Sequence, residues 1–481
     1  MPERHELIVG VDSSTQSTKV EARDLNTGAL VAVGRAPHPA VTPPCAEQQP
    51  AAWWSALADA LAQLGDHRAN VVALAVAGQQ HGLVVTDATG DVLRPAKLWN
   101  DTTSAEIADE LVASKGSAWW VAQCGSVPGA AFTVSKLAWV ATHEPEVFAR
   151  VKRVMLPHDY ITWRLTGEHV TDRGDASGTG WWSPAGYSQD VLALVNLTAD
   201  VLPHVLSSTE VAGLIHADVA AQLGLPAGIM IGPGTGDNMA AALGLGLRAG
   251  DVAVSIGTSG TVYAVAETAT SDASGAVAGF ADATGHFLPL VCTLNATRVT
   301  DTVAEWLGTD PAGLAKLALA APINGGPVVV PYFDGERTPN LPHAAGLMSG
   351  LRTTTTREEL ALAAHDGVVC GLLDGLDALT AAGVAAGGTM HLVGGGARSS
   401  AYRQRLAELA QRPVHVPGAD ETVATGAAVQ AAAIKSGRTF AEVASAWGLG
   451  RGVTVQPRTG VDASARRAAY ALQRSAILTG S

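Results

Sequence analysis

A chain of 481 residues with 47% hydrophobic and 16% charged side chains is too long for one ordinary core and too apolar to be disordered. Its net charge of −13, without any cluster of Lys or Arg, excludes a nucleic-acid binder working through a broad basic face. No apolar run is long and uninterrupted enough to span a bilayer, so a membrane role is not expected either.

The opening MPERHELIVGVD runs into a strand without a signal peptide. Cys45, Cys124, Cys292 and Cys370 lie far apart with no metal-ligand spacing, which predicts a reduced, cytoplasmic protein whose cysteines are small buried apolar residues. Residues 6–11, 18–23 and 29–34 read as three successive strands, the first two joined by a polar turn over 13–17. A proline-rich loop closes this meander and a helix over 51–64 follows. Residues 70–77 form a continuous apolar run typical of an inner strand, which ends at the polar Gly78 Gln79 Gln80 His81 Gly82 before another strand over 83–87. Residues 100–230 read as helices and loops.

The pattern of strand, polar turn and strand returns at 251–255 and 261–266, around Gly257 Thr258 Ser259 Gly260, and predicts an internal duplication whose two hairpins face one another across a cleft. Small residues in such turns let backbone N–H groups approach a phosphate. A strand over 389–393 running into Gly394 Gly395 Gly396 Ala397, with a helix over 402–410 behind it, is a third place where backbone can close on a nucleotide. The most chemically suggestive residue is Asp237, which follows Gly232, Gly234 and Gly236 and precedes Asn238 and an alanine-rich run. That spacing predicts an exposed carboxylate aimed from the start of a helix. The end of the chain, 439–481, reads as partly amphipathic helix.

Taken together these stretches resemble the FGGY carbohydrate kinases of the actin-like ATPase superfamily, and within them most closely the xylulokinases, over roughly residues 7–440. DSSTQSTK from Asp12 is similar to the family's first phosphate hairpin, GQQHG from Gly78 to its sugar loop and LWND from Leu98 to its Trp-Asn-Asp run. LPHDYITWRLTGE from Leu156, TDRGDASGT from Thr171, GTGDN around Asp237, IGTSGT from Ile256, PYFDGERTPN from Pro331 and LVGGGARS from Leu392 follow in the family's order. Two positions depart from the pattern. Ser14 stands where the hairpin usually has Gly, leaving phosphate binding to side-chain hydroxyls and Lys19, and Gln80 stands where the xylulokinase loop often has an apolar Met.

The resemblance implies an α/β fold of two actin-like ATPase (ribonuclease H-like) domains, each a mixed sheet flanked by helices, with a cleft between them. It implies a sugar-binding domain over 1–246 and a nucleotide-binding domain over 247–481, the last helices packing back between the lobes. The implied activity is transfer of the ATP γ-phosphoryl group to a sugar hydroxyl, with the 5-hydroxyl of D-xylulose as the acceptor and ribulose, fuculose or glycerol as the other candidates. Asp237 is then the base, and Asp12 with Asp237 holds Mg²⁺. Ser14, Thr15, Gln16 and Lys19, then Gly257, Thr258 and Gly260, then Gly395, Gly396, Ala397 and Ser400, contact ATP. Gln80, His81, Gly82, Trp99, Asp101 and Asn238 join Asp237 around the sugar. The partners are small molecules, with a homodimer compatible with the family. The absence of an Arg from the sugar loop disfavours an acidic sugar such as gluconate. A filament or chaperone ATPase of the superfamily would have no reason to carry the sugar loop and Asp237 in this order, and a sugar-sensing regulator would need a DNA-binding module that does not precede Glu6.

Overall fold

A computed structural model describes residues 5–418 and 421–480. Its two large sheets share one plan. In the first, Leu7–Ser13 pairs antiparallel with Ser17–Asp24, which pairs antiparallel with Leu30–Pro37; on its other side Leu7–Ser13 runs parallel to Val71–Gly78. In the second, Val252–Ile256 pairs antiparallel with Gly260–Ala264, which pairs with Phe287–Thr293, and runs parallel to Met390–Val393. The predicted duplication is therefore a duplication of topology, with the strand that ends in each polar turn at the centre of its sheet.

Helices cover both sheets. Pro50–Ala62 lies across Ser17–Asp24 and Leu30–Pro37, so closely that a Cβ on Gly34 would fall 1.9 Å from the carbonyl oxygen of Ala60. Arg357–Ala381, started by a capping box between Thr356 and Glu359, lies across Gly260–Ala264 and Phe287–Thr293. The alanine-rich helices Asp237–Leu245 and Val423–Ser436 pack against one another, and the second of them also lies on the first sheet although it belongs to the far half of the sequence. Their small residues allow backbone-to-backbone contact: a Cβ on Gly426 would sit 1.8 Å from the Ala240 carbonyl oxygen, and one on Gly10 would sit 1.9 Å from that of Ala424.

Four local expectations are corrected. Cys45, in a loop, is exposed, and Cys292, on the strand Phe287–Thr293, is half-buried against the core; only Cys124 and Cys370 are core residues. The region after residue 439 contains a strand, Gly452–Val455, which pairs with Val414–Pro417 at the edge of the second sheet, between the helices Phe440–Trp447 and Ala463–Gly480. Residues 100–230 include short strands, among them Val170–Asp172 paired with His204–Leu206. Asp237 is half-buried rather than exposed, since its helix starts under the end of a sheet. Among the described residues no helix is long and apolar enough to cross a membrane.

Candidate active site

Strand register brings the GQQHG loop beside Asp237. The short strand Thr235–Gly236 pairs with the end of Val71–Gly78, Gly236 opposite Gly78, so Asp237 emerges beside Gln79 and Gln80. Gly236 leaves the room this requires, because a Cβ there would meet Gln80 Cγ at 2.6 Å. Gly234, at φ +77°, makes the turn, and Gln430 of the return helix, Val423–Ser436, clamps it by accepting from its N–H and donating to its carbonyl, both at 2.9 Å. Asn238 donates to Gln80 Oε1 at 2.8 Å and to Asp237 Oδ1 at 2.9 Å.

A cavity of about 300 Å³ opens between the two sheets. From the first half it is lined by Asp12, Asp237 and Asn238; from the second by Ser255, Gly394 and Ala397, by Arg398 and Arg403, and by Glu421, Thr422 and Val423 at the start of the return helix. Asp12, Asp237 and Glu421 give one wall an acidic character. Burial, then Glu421, then Asp237 hold the Asp12 carboxyl well above the usual range, against the opposing pull of Lys19 and Arg35. Oδ1 of Asp12 is buried without a partner. A divalent cation would relieve both conditions, so the residues fit one. Burial and the Asp175 carboxylate push Asp237 up to about 7.

The three turns expected around ATP differ in what they reach. In the third, Gly394 and Ala397 line the cavity, whereas Gly395 and Ser400 are exposed to solvent; Gly396 is pressed on Ile256, where a Cβ would meet Cγ2 at 2.4 Å. Gly394, named with this turn but not among the expected ATP contacts, makes it with a φ of +83°. The second turn, Gly257 to Gly260, reaches beyond the cavity lining with Thr258 exposed, and Ser255 at its root is the residue that lines it. In the first, Lys19 pairs with Glu421 across the halves of the sequence. The Ser14 N–H closes the hairpin by donating to the Ser17 carbonyl at 3.1 Å, and Gln16 is exposed. Thr15 accepts from Trp99 Nε1 at 2.9 Å and donates to Gln79 Oε1 at 3.2 Å, so the hairpin tip is tied to the sugar segment.

Gln79, Gln80 and His81 are buried in succession, and each keeps one polar atom unpartnered: Gln79 Nε2, Gln80 Nε2 and His81 Nδ1. Unsatisfied buried groups cost about 1–3 kcal/mol each, and a ligand carrying hydroxyls would relieve three adjacent ones. Burial, Lys136 and Arg337 push His81 down to about 3, which keeps it a neutral imidazole. Gly82 lies against Pro157, where a Cβ would be 2.5 Å from the ring. Trp99 is half-turned to solvent at 38% exposure. Asp101 has no exposure at all, and it accepts from the Ala46 N–H at 2.9 Å, from Lys97 at 3.2 Å and from Thr103. Its oxygens are thus engaged within the protein.

Sequence reasoning missed an ionic cluster that acts on Asp237 through Asp175. His158, from LPHDY, has no exposure and lies 3.3 Å from Asp159, 3.5 Å from Asp172 and 3.3 Å from Asp175, the last two from TDRGDASGT. Burial alone would strip its proton; the three carboxylates outweigh that and hold its pKa well above the ordinary value. The only signal was four ionisable residues in otherwise well-packed segments. No Arg lies within Gly78 to Gly82 itself, but Arg337, from PYFDGERTPN in the second half of the chain, acts electrostatically on His81.

Comparison with known proteins agrees with this arrangement. Residues 7–244 match the N-terminal domain, and residues 252–434 the C-terminal domain, of the FGGY family of carbohydrate kinases. The chain belongs to that family. As an FGGY kinase it is an ATP-using enzyme with two domains of actin-like, ribonuclease H-like architecture. It is 48% identical to a xylulose kinase of Streptomyces coelicolor over 93% of this chain and 92% of that one. A xylulose kinase of Streptomyces rubiginosus is 46% identical over 94% and 92%. Among solved structures, xylulose kinase from Bifidobacterium adolescentis superposes with a TM-score of 0.87 at 40% identity, covering 98% of this chain and 99% of that chain.

Proposed function

We propose that this FGGY kinase transfers the γ-phosphoryl group of ATP to the 5-hydroxyl of D-xylulose, giving D-xylulose 5-phosphate and ADP. The observation that carries the reading is the Asn238 amide, which joins the unsatisfied sugar loop to the carboxylate that opens on the inter-sheet cavity. The xylulose kinases it resembles over nearly its whole length support the choice of sugar.

In this reading Asp237 accepts the proton of the attacking hydroxyl late in a loose transition state, a contribution of about 10²–10⁴-fold. The Gln80 amide, the neutral His81 and Asn238 orient the sugar, and a site built to bond a given hydroxyl rejects an analogue lacking it. Trp99, bonded to Thr15, walls the sugar near the first hairpin, and Asp101 is held by Lys97 and Thr103 in the same segment. Gly394 and Ala397 receive adenosine, while Lys19, once freed from Glu421, meets the phosphates. Mg²⁺ bound at Asp12 and Asp237 would neutralise phosphate charge. Residues up to 246 serve the sugar, with Asp12 and Lys19 turned to the phosphates, and those from 247 serve the nucleotide, apart from the helix Val423–Ser436, which packs on the first sheet.

A coupled ADP-release assay with Mg-ATP over xylulose, ribulose, fuculose, glycerol and gluconate tests this. The highest kcat/KM belongs to D-xylulose. Gluconate belongs in the panel because Arg337 and Lys136 bring positive charge near His81. A higher value for another sugar would overturn the substrate, and no ADP from any would overturn the activity.

A further inference from the structure

His81 adopts φ +64°, a left-handed backbone that residues with a Cβ rarely take. The protein grips it from several sides. Its carbonyl accepts from Lys136 Nζ at 3.1 Å and from Thr133 Oγ1 at 3.3 Å, and Lys136 donates in addition to the Ala131 carbonyl. Its ring is stacked on Phe132 with centroids 5.3 Å apart, and Phe280, from the edge of the second sheet, lies 5.4 Å away on a tilt. Gly178 is the floor: a Cβ there would stand 2.3 Å from His81 Cε1.

Lys136 has no exposure. Burial pushes it down to about 7, with Asp101 and Asp175 opposing and Lys97 and Arg337 adding to the fall. An apolar side chain would fill the same space on helix Thr133–His143 without that desolvation cost. What the ammonium adds is two hydrogen bonds to main-chain carbonyls, one of them on the strained residue of the sugar loop.

We infer that Lys136 is a positioning residue for sugar binding: by holding the His81 carbonyl it keeps the loop in the left-handed turn that presents the Gln80 amide and the His81 imidazole side by side. The inference rests on reading that loop as the sugar site. Lys136 touches neither sugar nor ATP in this account, so its loss acts on sugar affinity through His81. A merely structural role would instead lower stability and the active fraction, leaving both KM values alone.

The test combines a crystal structure of Lys136→Met with steady-state kinetics. The expected result is that His81 leaves the left-handed region and the KM for D-xylulose rises about tenfold or more, the effect of losing a charge-assisted hydrogen bond, while the KM for ATP is unchanged. His81 still at positive φ in the variant, or a moved His81 with an unchanged sugar KM, overturns the inference. Should Lys136→Met fail to fold, Thr133→Val removes the second donor to the same carbonyl with little change of shape; it raises the sugar KM in the same direction, and no rise overturns the inference. If the wild type phosphorylates none of the sugars, the substrate reading fails, whereas the His81 backbone in the variant crystal still decides the positioning claim.

Discussion

The side-chain amide of Asn238 reaches Gln80 Oε1 at 2.8 Å while staying 2.9 Å from Oδ1 of its neighbour Asp237. A residue at the start of a helix in one segment and a residue in a loop 158 positions earlier are thereby fixed to each other. Since the Asn238 N–H also donates to Asp237 Oδ1 at 2.8 Å, one oxygen of the carboxylate is anchored twice. Asn238 does not engage the other.

The anchored carboxylate predicts a pH dependence. Asp237 is raised to about 7, so below that pH it carries a proton and cannot accept another. The kcat/KM for sugar therefore falls tenfold per unit as pH drops below about 7. Asp175 adds a like charge that raises this value, so Asp175→Asn moves the acid limb to lower pH. An acid limb in the ordinary carboxylate range, about 4, would contradict the assignment.

Gly394 predicts a selective loss of nucleotide binding. At φ +83°, with the Ile256 carbonyl oxygen 2.7 Å from where a Cβ would stand, an alanine forces the turn open. Gly394→Ala raises the KM for ATP several-fold and costs about 1–3 kcal/mol of backbone strain, read by nucleotide titration and by denaturant unfolding. The sugar KM stays near the wild-type value.

The crossing of the two alanine-rich helices predicts a stability effect far from any ligand. Gly426→Ala puts a methyl 1.8 Å from the Ala240 carbonyl oxygen, a clash with backbone that no rotamer relieves. It destabilises by about 1–3 kcal/mol as overpacking does, visible as a lowered urea midpoint. A midpoint equal to that of the wild type would mean the helices do not meet at this glycine.

The two hairpins were legible because alternating strands flank polar turns, and the topology repeats where the pattern repeats. Asp237 was legible from its glycines, each of which turns out to have a steric task, such as Gly236 against Gln80. The return helix Val423–Ser436 was not, since its ATGAAVQAAA run is uniformly small and carries no stripe to say which sheet it covers. For the same reason Glu421 could not be placed near Asp12 in advance. The His158 cluster and Arg337 were invisible for another reason: electrostatic effect depends on distance in space, and nothing in TDRGDASGT or GERTP states what it faces. The sequence context of Asp101 could not reveal that Lys97 and Thr103 already occupy it.

The central claim is that Asp237 is the base, and Asp237→Asn tests it most directly, because the amide keeps the size of the side chain but cannot take a proton. The measurement is kcat in the coupled assay together with the sugar dissociation constant by calorimetry. The account predicts a kcat lower by about 10²–10⁴-fold with sugar affinity within about threefold of the wild type. A kcat close to the wild-type value would contradict it.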